Sequence, residues 1–414
     1  MPILTMTRLA LRFARLATVA SLLPIVVACS EDEPSTGIEQ TEPRPPTMTE
    51  GVNDGVTPPP RQTQDAGSSA NGSLTGRLIT SGDFPHRNAL LSFDFETARY
   101  SVLEGADVAS SIRSIDNDDT VRFFSADHSE PGRFVETQYQ CQGEIGVRCI
   151  GLWGANGVLE SAFSVSEPDI VVPGTSLAKR SRDGRFVAFT HREGEFLEIR
   201  NSAGDLVSSG RYERRLLSPY DWLPDGSILI ENDIDGDPFD GIIRLVRTEP
   251  YAAKGATTIT LPERYSGRIR NLVVDPSGTR VAMLVRLSSD DSNNRIPIVL
   301  DLSNNAIHEP VASGGGATGL DAVGIHWSPD GQFLIFQNPR FRPILTPLPD
   351  APASGQGLPE NVTYVVRADG GSYPLPASVA ESNDDARIIV ARPSNDPDGA
   401  PAPGNADPGY VWVQ

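Results

Sequence analysis

From about residue 77 onward, short unbroken apolar runs alternate with tight polar turns, and two patterns recur in sequence. The first is a turn rich in Ser, Pro, Asp and Gly that leads into an apolar stretch. It reads HWSPDGQFLIF at 326–336, DWLPDGSILI at 221–230, RSRDGRFVAF at 180–189 and VVDPSGTRVAM at 273–283, with weaker copies SIDNDDTVRFF at 114–124 and ESNDDARIIVA at 381–391. In Ser328-Pro329-Asp330-Gly331 the proline presets φ for a type I turn, and Gly331 takes the left-handed position that reverses the chain into a hairpin. The run that follows, Phe333-Leu334-Ile335-Phe336, is apolar at every position. A strand that alternates buries one face, whereas a strand apolar at both parities is buried on both. Such strands need neighbours above and below.

The second pattern is a strand, a polar turn and another strand: LLSFDFETARYSVL at 90–103, CIGLWGANGVLESAF at 149–163, FLEIRNSAGDLV at 196–207, IVLDLSNNAIHEPV at 298–311 and YVVRADGGSYPLP at 364–376. Each pair of patterns supplies about four antiparallel strands, which is one propeller blade. Between equivalent turn positions the spacing is 42 residues from Gly184 to Gly226, 52 to Gly278, 53 to Gly331 and 55 to Ala386. These bracket the periods of about 40–50 residues of known propeller repeats. The expected fold is therefore an all-β propeller over residues 77–414. Six first-type units predict six blades; seven is the alternative if the terminal YVWVQ belongs to a separate partial blade. The chain enters on a second-type unit and leaves on a first-type unit, so the termini are expected to complete one shared blade. Closure hides the unpaired strand edges of an open sheet.

Composition narrows the class. With 38% hydrophobic and 21% charged residues the chain is neither a multi-span membrane protein nor wholly disordered, and its 38 glycines and 35 prolines fit a turn-rich body. A net charge of −19 repels phosphate backbones, which excludes unassisted nucleic-acid binding and favours a soluble monomer.

The N-terminus reads as an address. Arg8, Arg12 and Arg15 precede thirteen uncharged residues, 16–28, reading LATVASLLPIVVA: the n-region and h-region of a secretory signal over 1–28. The stretch is short for a spanning helix, which needs about 20 apolar residues, and Pro24 disrupts it further. Val26-Val27-Ala28-Cys29 resembles the lipobox of bacterial lipoproteins. The resemblance implies a diacylglyceryl-modified Cys29 and, with Ser30 rather than Asp after it, an outer-membrane lipoprotein facing the periplasm or the cell surface. Residues 29–76 carry no aromatic side chain and hold Pro45-Pro46 and Pro58-Pro59-Pro60, so they read as a disordered tether. With Cys29 lipidated, Cys141 and Cys149 remain, eight residues apart. In an exported protein they are expected to form a disulfide that staples an insertion in the long gap before Gly184. Two buried thiols are the alternative. Zinc lacks ligands there.

With the S-P-D-G unit in view, the body resembles the TolB-type propeller repeat of periplasmic TolB and of the propeller domains of prolyl-oligopeptidase-like proteins. The resemblance covers roughly 77–414 and is sharpest at 222–230 and 327–336. The α/β domain that precedes the TolB propeller has no counterpart here, so the role of TolB in its envelope complex does not transfer. The G-x-S-x-G elbow of the peptidases is also missing.

Candidate chemistry is sparse. Asp233, Asp235, Asp237 and Asp240 alternate in a glycine-containing loop and loosely resemble calcium-binding aspartate loops, Ca²⁺ being a hard ion that takes six to eight oxygens. The competing reading is a solvated hairpin tip. Gly314-Gly315-Gly316-Ala317-Thr318-Gly319 lacks the lysine of a phosphate loop and reads as a connection. The histidines His86, His128, His191, His308 and His326 are scattered, and His326 is expected to pack. Trp222 and Trp327 occupy equivalent positions and read as inter-blade core. The functional expectation is a lipid-anchored, non-enzymatic module that binds an envelope protein or ligand, with no cofactor unless Ca²⁺ is held. The alternative is a propeller enzyme, or a glycan or small-molecule binder, that uses the mouth of the central channel.

Overall fold

Six sheets account for every strand among the described residues of the computed structural model. The chain divides into two units, Met1–Thr63 and Gln64–Gln414. The described residues all lie in the second: 74–81, 90–103, 122–139, 147–166, 177–191, 196–211, 219–231, 242–288, 294–312, 320–338, 346–347, 362–391 and 410–414. The signal segment, Cys29, the tether up to 73, Cys141, the loop carrying Asp233, Asp235, Asp237 and Asp240, and the glycine run at 314–316 lie outside them.

Blade 1 holds β1 (Arg77–Ser81), β2 (Leu90–Asp94) and β3 (Arg99–Val102). Blade 2 holds β4 (Arg122–Ala126), β5 (Phe134–Tyr139), β6 (Val147–Trp153) and β7 (Leu159–Ser166). Blade 3 holds β8 (Lys179–Arg180), β9 (Phe186–His191), β10 (Phe196–Asn201) and β11 (Leu206–Arg211). Blade 4 holds β12 (Tyr220–Trp222), β13 (Ile228–Glu231), β14 (Arg244–Thr248) and β15 (Gly255–Thr260). Blade 5 holds β16 (Tyr265–Ser266), β17 (Leu272–Val274), β18 (Arg280–Leu287), β19 (Ile296–Asp301) and β20 (Ile307–His308). Blade 6 holds β21 (Val323–Trp327), β22 (Phe333–Asn338), β23 (Thr346–Pro347), β24 (Val362–Arg367) and β25 (Ala386–Ala391). The last strand, β26 (Tyr410–Val413), returns to blade 1 and pairs antiparallel with β1, Arg77 opposite Val413 and Thr80 opposite Tyr410. The shared blade is therefore closed by the two ends of the folded body.

The innermost strands close the ring. β4 touches β8, β8 touches β12, β12 touches β17, β17 touches β21, β21 touches β26 and β26 touches β4. The apolar runs explain why. In β9, Val187 and Phe189 join the cluster shared with blade 2, while the intervening Ala188 joins the one shared with blade 4. In β22, Leu334 and Phe336 face blade 5 and Ile335 faces blade 1. Six hydrophobic clusters result, one in each gap between adjacent blades. Each sheet thus buries both faces against its neighbours.

The recurring turn is held by its own side chains. Ser328 Oγ donates to Asp330 Oδ1 and accepts from Phe333 N at 2.9 Å, while Gly331 N donates to Ser328 O at 2.9 Å. Ser181, Asp183, Gly184 and Phe186 repeat this, with Ser181 Oγ to Asp183 Oδ1 at 2.6 Å and Gly184 N to Ser181 O at 2.8 Å. Gly226 sits at φ +80°, and a Cβ there would meet the ring of Tyr251 at 2.2 Å, so both conformation and space demand glycine.

The blade count agrees with expectation, but three repeat units fall differently. ARIIVA at 386–391 is β25, a later strand of blade 6, not the start of a new blade. Arg122-Phe123-Phe124 opens the innermost strand β4, and the turn follows it, with Asp127 N bonded to Arg133 O and Gly132 at φ +78°. After β24 the chain does not fold into a hairpin at 364–376; it crosses to blade 5, where Tyr373 bridges Val311, and returns as β25. Counted from Gly132, the distance to Gly184 is 52 residues, the same as an ordinary blade. The gap that was read as an insertion is blade 2 itself. Cys149 lies within β6, fully buried.

Candidate binding site on the propeller axis

Every innermost strand contributes to the wall of one axial cavity, for instance Ser125, Lys179, Asp221, Leu272, His326 and Val411. The cavity leaves about 60 Å³ to the centres of water molecules, room for roughly four to six waters at about 10–15 Å³ each. A second depression shares Ala126, His128, Trp327 and Trp412 with the cavity and is bordered by Pro131, Pro329 and Gln414. It forms the mouth on the face of the recurring turns.

The charges on the axis hold blades together. Lys179 Nζ lies 3.3 Å from Asp221 Oδ2, and the two side chains are 11% and 8% exposed. Lys179 also donates to Leu272 O at 3.0 Å. Asp221 accepts from Val274 N at 2.7 Å and from Trp222 N at 2.9 Å. One ion pair therefore ties blades 3, 4 and 5. Burial pushes Lys179 below its ordinary range, and Asp221 partly offsets that push. Arg182, from the turn of blade 3, donates to Asp275 O and Pro276 O of blade 5, each at 2.6 Å, and burial lowers its pKa against the pull of Asp221 and Asp275. Toward blade 2, Arg180 pairs with Asp127 at 2.8 Å. Toward blade 6, Arg280 donates to Gly331 O and Ala368 O, each at 2.6 Å.

The tryptophans do the same with their indoles. Trp222 Nε1 donates to Lys179 O of blade 3 and Trp327 Nε1 to Val273 O of blade 5, both at 2.9 Å. Trp412 of β26 differs: its indole donates to Thr75 O just ahead of β1 at 2.9 Å, within blade 1, while its ring packs in the cluster between blades 6 and 1. The expected inter-blade role of Trp222 and Trp327 holds. The inter-blade packing of Trp412 was missed because YVWVQ carries no turn motif after it in sequence.

Two of the scattered histidines, His128 and His326, line the axial cavity. His326 is 8% exposed, and burial, reinforced by Lys179 and opposed by Asp221, pushes its pKa down to about 3. His128 is pushed down to about 4 by burial first and then by Arg182, with Asp221 and Asp127 opposing. Both are neutral near pH 7. His308 lies in β20, away from the cavity. Among the described residues no group of three His, Cys, Asp or Glu side chains is placed to hold a metal ion. Ser125, the hydroxyl on the cavity wall, donates to Ala178 O at 2.7 Å rather than to a histidine, and the Tyr220 hydroxyl is bonded to Ala188 O at 2.6 Å. The ionisable pair Lys179 and Asp221 is engaged with the protein itself.

Solved structures similar to this chain include TolB from Acinetobacter baumannii, at 13% identity and a TM-score of 0.46 over 77% of this chain and 68% of that one. A putative TolB from Agrobacterium tumefaciens is similar at 12% identity and a TM-score of 0.43, over 73% of this chain and 88% of that one. A protein of unknown function from Bacteroides caccae is similar at 13% identity and a TM-score of 0.40, over 78% of this chain and 100% of that one. No protein-family model matches the sequence and no curated protein does.

Proposed function

We propose that this chain is a bacterial envelope propeller, lipid-anchored through Cys29, that works without catalysis and docks another envelope protein at the mouth of its axis. The observation that carries the reading is how the axial polar groups are used. Lys179, Asp221, Ser125 and Tyr220 are spent on bonds between blades, which leaves no hydroxyl activated by a base among them. The mouth beside them is bordered by Pro131 and Pro329 above the buried rings of Trp327 and Trp412, and rigid groups lose little freedom on binding. The net charge of −19 favours a monomer that avoids nucleic acid.

The tether at 29–76 gives the propeller reach from the membrane, and export favours a disulfide between Cys141 and Cys149. A photo-crosslinking residue placed at Pro329 or Pro131 in living cells is expected to trap discrete envelope proteins, whereas the same residue at Leu206 on the exposed edge strand is not. Equal trapping at all three positions, or none, contradicts docking at the mouth. Incorporation of labelled palmitate that disappears in Cys29→Ala tests the anchor. Calorimetric titration with Ca²⁺ tests the Asp233, Asp235, Asp237 and Asp240 loop, a heat lost in Asp235→Asn being the supporting result.

A further inference from the structure

Two arginines stand opposite each other at the end of blade 5 remote from its recurring turn. The β18–β19 ladder runs from Arg280 opposite Asp301 to Val285 opposite Ile296, so the next position sets Arg286 of β18 against Arg295, just ahead of β19. Residues directly opposite share one face of a sheet. Ala282 and Leu284, at the same parity as Arg286, belong to the cluster between blades 5 and 6, so both arginines face blade 6. Arg295 agrees, since its Nη1 reaches Asp321 Oδ1, just ahead of β21, at 3.4 Å.

Like charges directly opposite destabilise a sheet, and the fold offsets this pair only in part. Among the described residues Arg286 makes no side-chain hydrogen bond or ion pair, and the Nε of each arginine is buried without a partner. Asp321 is 41% exposed, and its 3.4 Å contact is longer than the about 2.7–2.9 Å of a charged hydrogen bond. Burial lowers the pKa of Arg295, Arg270 and Arg286 lower it further, and Asp321 opposes them. The local field is positive, in a chain of net charge −19. The donors select the anion that answers it. A carboxylate has two oxygens, enough for one guanidinium fork, and a halide offers a single point. A phosphate group presents three strong acceptor oxygens and about 1.5–2 negative charges, enough to span two forks. Long-range repulsion by the net charge disfavours a polyanion, which leaves a single phosphate group.

We propose that Arg286 and Arg295 bind a phosphate group that bridges their guanidinium groups in the gap between blades 5 and 6, with Arg270 adding to the field that holds it. The site lies at the opposite end of the strands from the mouth and does not depend on docking there. The phosphate is either a free solute or the headgroup of a phosphomonoester lipid, and the chemistry is the same for both. The β18–β19 connection at 289–293 carries Asp290 and Asp291 and lies outside the described residues, so the test also removes these two carboxylates.

The test is calorimetric titration of the full-length protein with inorganic phosphate, with acetate and chloride at matched ionic strength as controls. Saturable one-site binding of phosphate alone is the expected result. It should weaken about tenfold in Arg286→Gln and in Arg295→Gln, the loss of a bond between charged groups, and stay unchanged in Arg185→Gln on the face of the recurring turns. Thermal melting supplies a second readout. Without phosphate Arg286→Gln should melt no lower than the wild type, because it removes one of two facing like charges, and added phosphate should raise the melting temperature of the wild type alone. Dihexanoyl phosphatidic acid that binds more tightly than inorganic phosphate assigns the site to a lipid headgroup; equal or weaker binding assigns it to a free solute. The proposal is overturned if neither probe gives saturable heat up to about 100 mM, if acetate or chloride binds equally well, or if Arg286→Gln binds as tightly as the wild type. It is also overturned if phosphate binds only after Asp290→Asn and Asp291→Asn, since the connection's own carboxylates then fill the site.

Discussion

Replacing His326 with leucine should make the propeller less sensitive to mild acid. In the folded chain burial holds the imidazole at a pKa of about 3, against the ordinary value of about 6.5 that it regains on unfolding. The folded-state value is depressed, so the histidine's contribution to stability is fully present above about pH 6.5 and is lost as the pH falls toward 3. Between pH 7 and pH 5 the unfolded chain takes up most of a proton at this position and the folded chain almost none. Linkage then gives a loss of about 2 kcal/mol from this residue alone. The figure is insensitive to the folded-state value, because any pKa well under 5 gives nearly the same loss. Urea titrations followed by tryptophan fluorescence at pH 7, 6 and 5 measure it, since Trp153, Trp222, Trp327 and Trp412 are all buried in the ring. The wild type should lose about 2 kcal/mol more than His326→Leu between pH 7 and pH 5. Identical pH dependence in the two proteins would refute the buried, neutral imidazole.

Two other substitutions probe the stitching. Asp221→Ala leaves the Lys179 ammonium buried beside Leu272 O and orphans Val274 N; a loss of about 3–5 kcal/mol is expected in urea unfolding. Asp221→Asn, which keeps an acceptor for Val274 N, should lose clearly less. Gly226→Ala places a Cβ against Tyr251 at a positive φ and should cost about 1–3 kcal/mol, whereas Gly370→Ala, with nothing within 4 Å of the added atom, should cost only the backbone strain. Equal losses at the two glycines contradict the packing of Tyr251 on the blade 4 turn.

The propeller was legible because a strand apolar at both parities has only a few ways to bury both faces, and Leu334-Ile335-Phe336 or Val187-Ala188-Phe189 send alternate side chains to opposite neighbours. The repeat boundaries were less so, for a local reason. Asn383 accepts from Asp385 N at 2.8 Å and Ala386 N at 3.0 Å, the same side-chain turn that Asp330 and Asp183 make in the true repeat. Sequence therefore reads a late strand of blade 6 as the opening of another blade. Conversely, Asp127 makes this turn with Ser129 N at 2.9 Å inside DHSEPG, where no P-D-G marks it. The axial site was not legible at all. Lys179, Asp221, His128 and His326 come from four different blades, and only closure of the ring brings them to one cavity.

That closure is most directly measured by amide hydrogen exchange across the seam of blade 1, where β26 pairs with β1. In the intact chain Tyr410–Val413 and Arg77–Ser81 should exchange slowly and together, and a chain ending before Tyr410 should lose protection in β1 and in the flanking innermost strands β4 and β21. Rapid exchange of Tyr410–Val413 in the intact chain, or unchanged protection of β1 after the truncation, would contradict a ring closed by its own two ends.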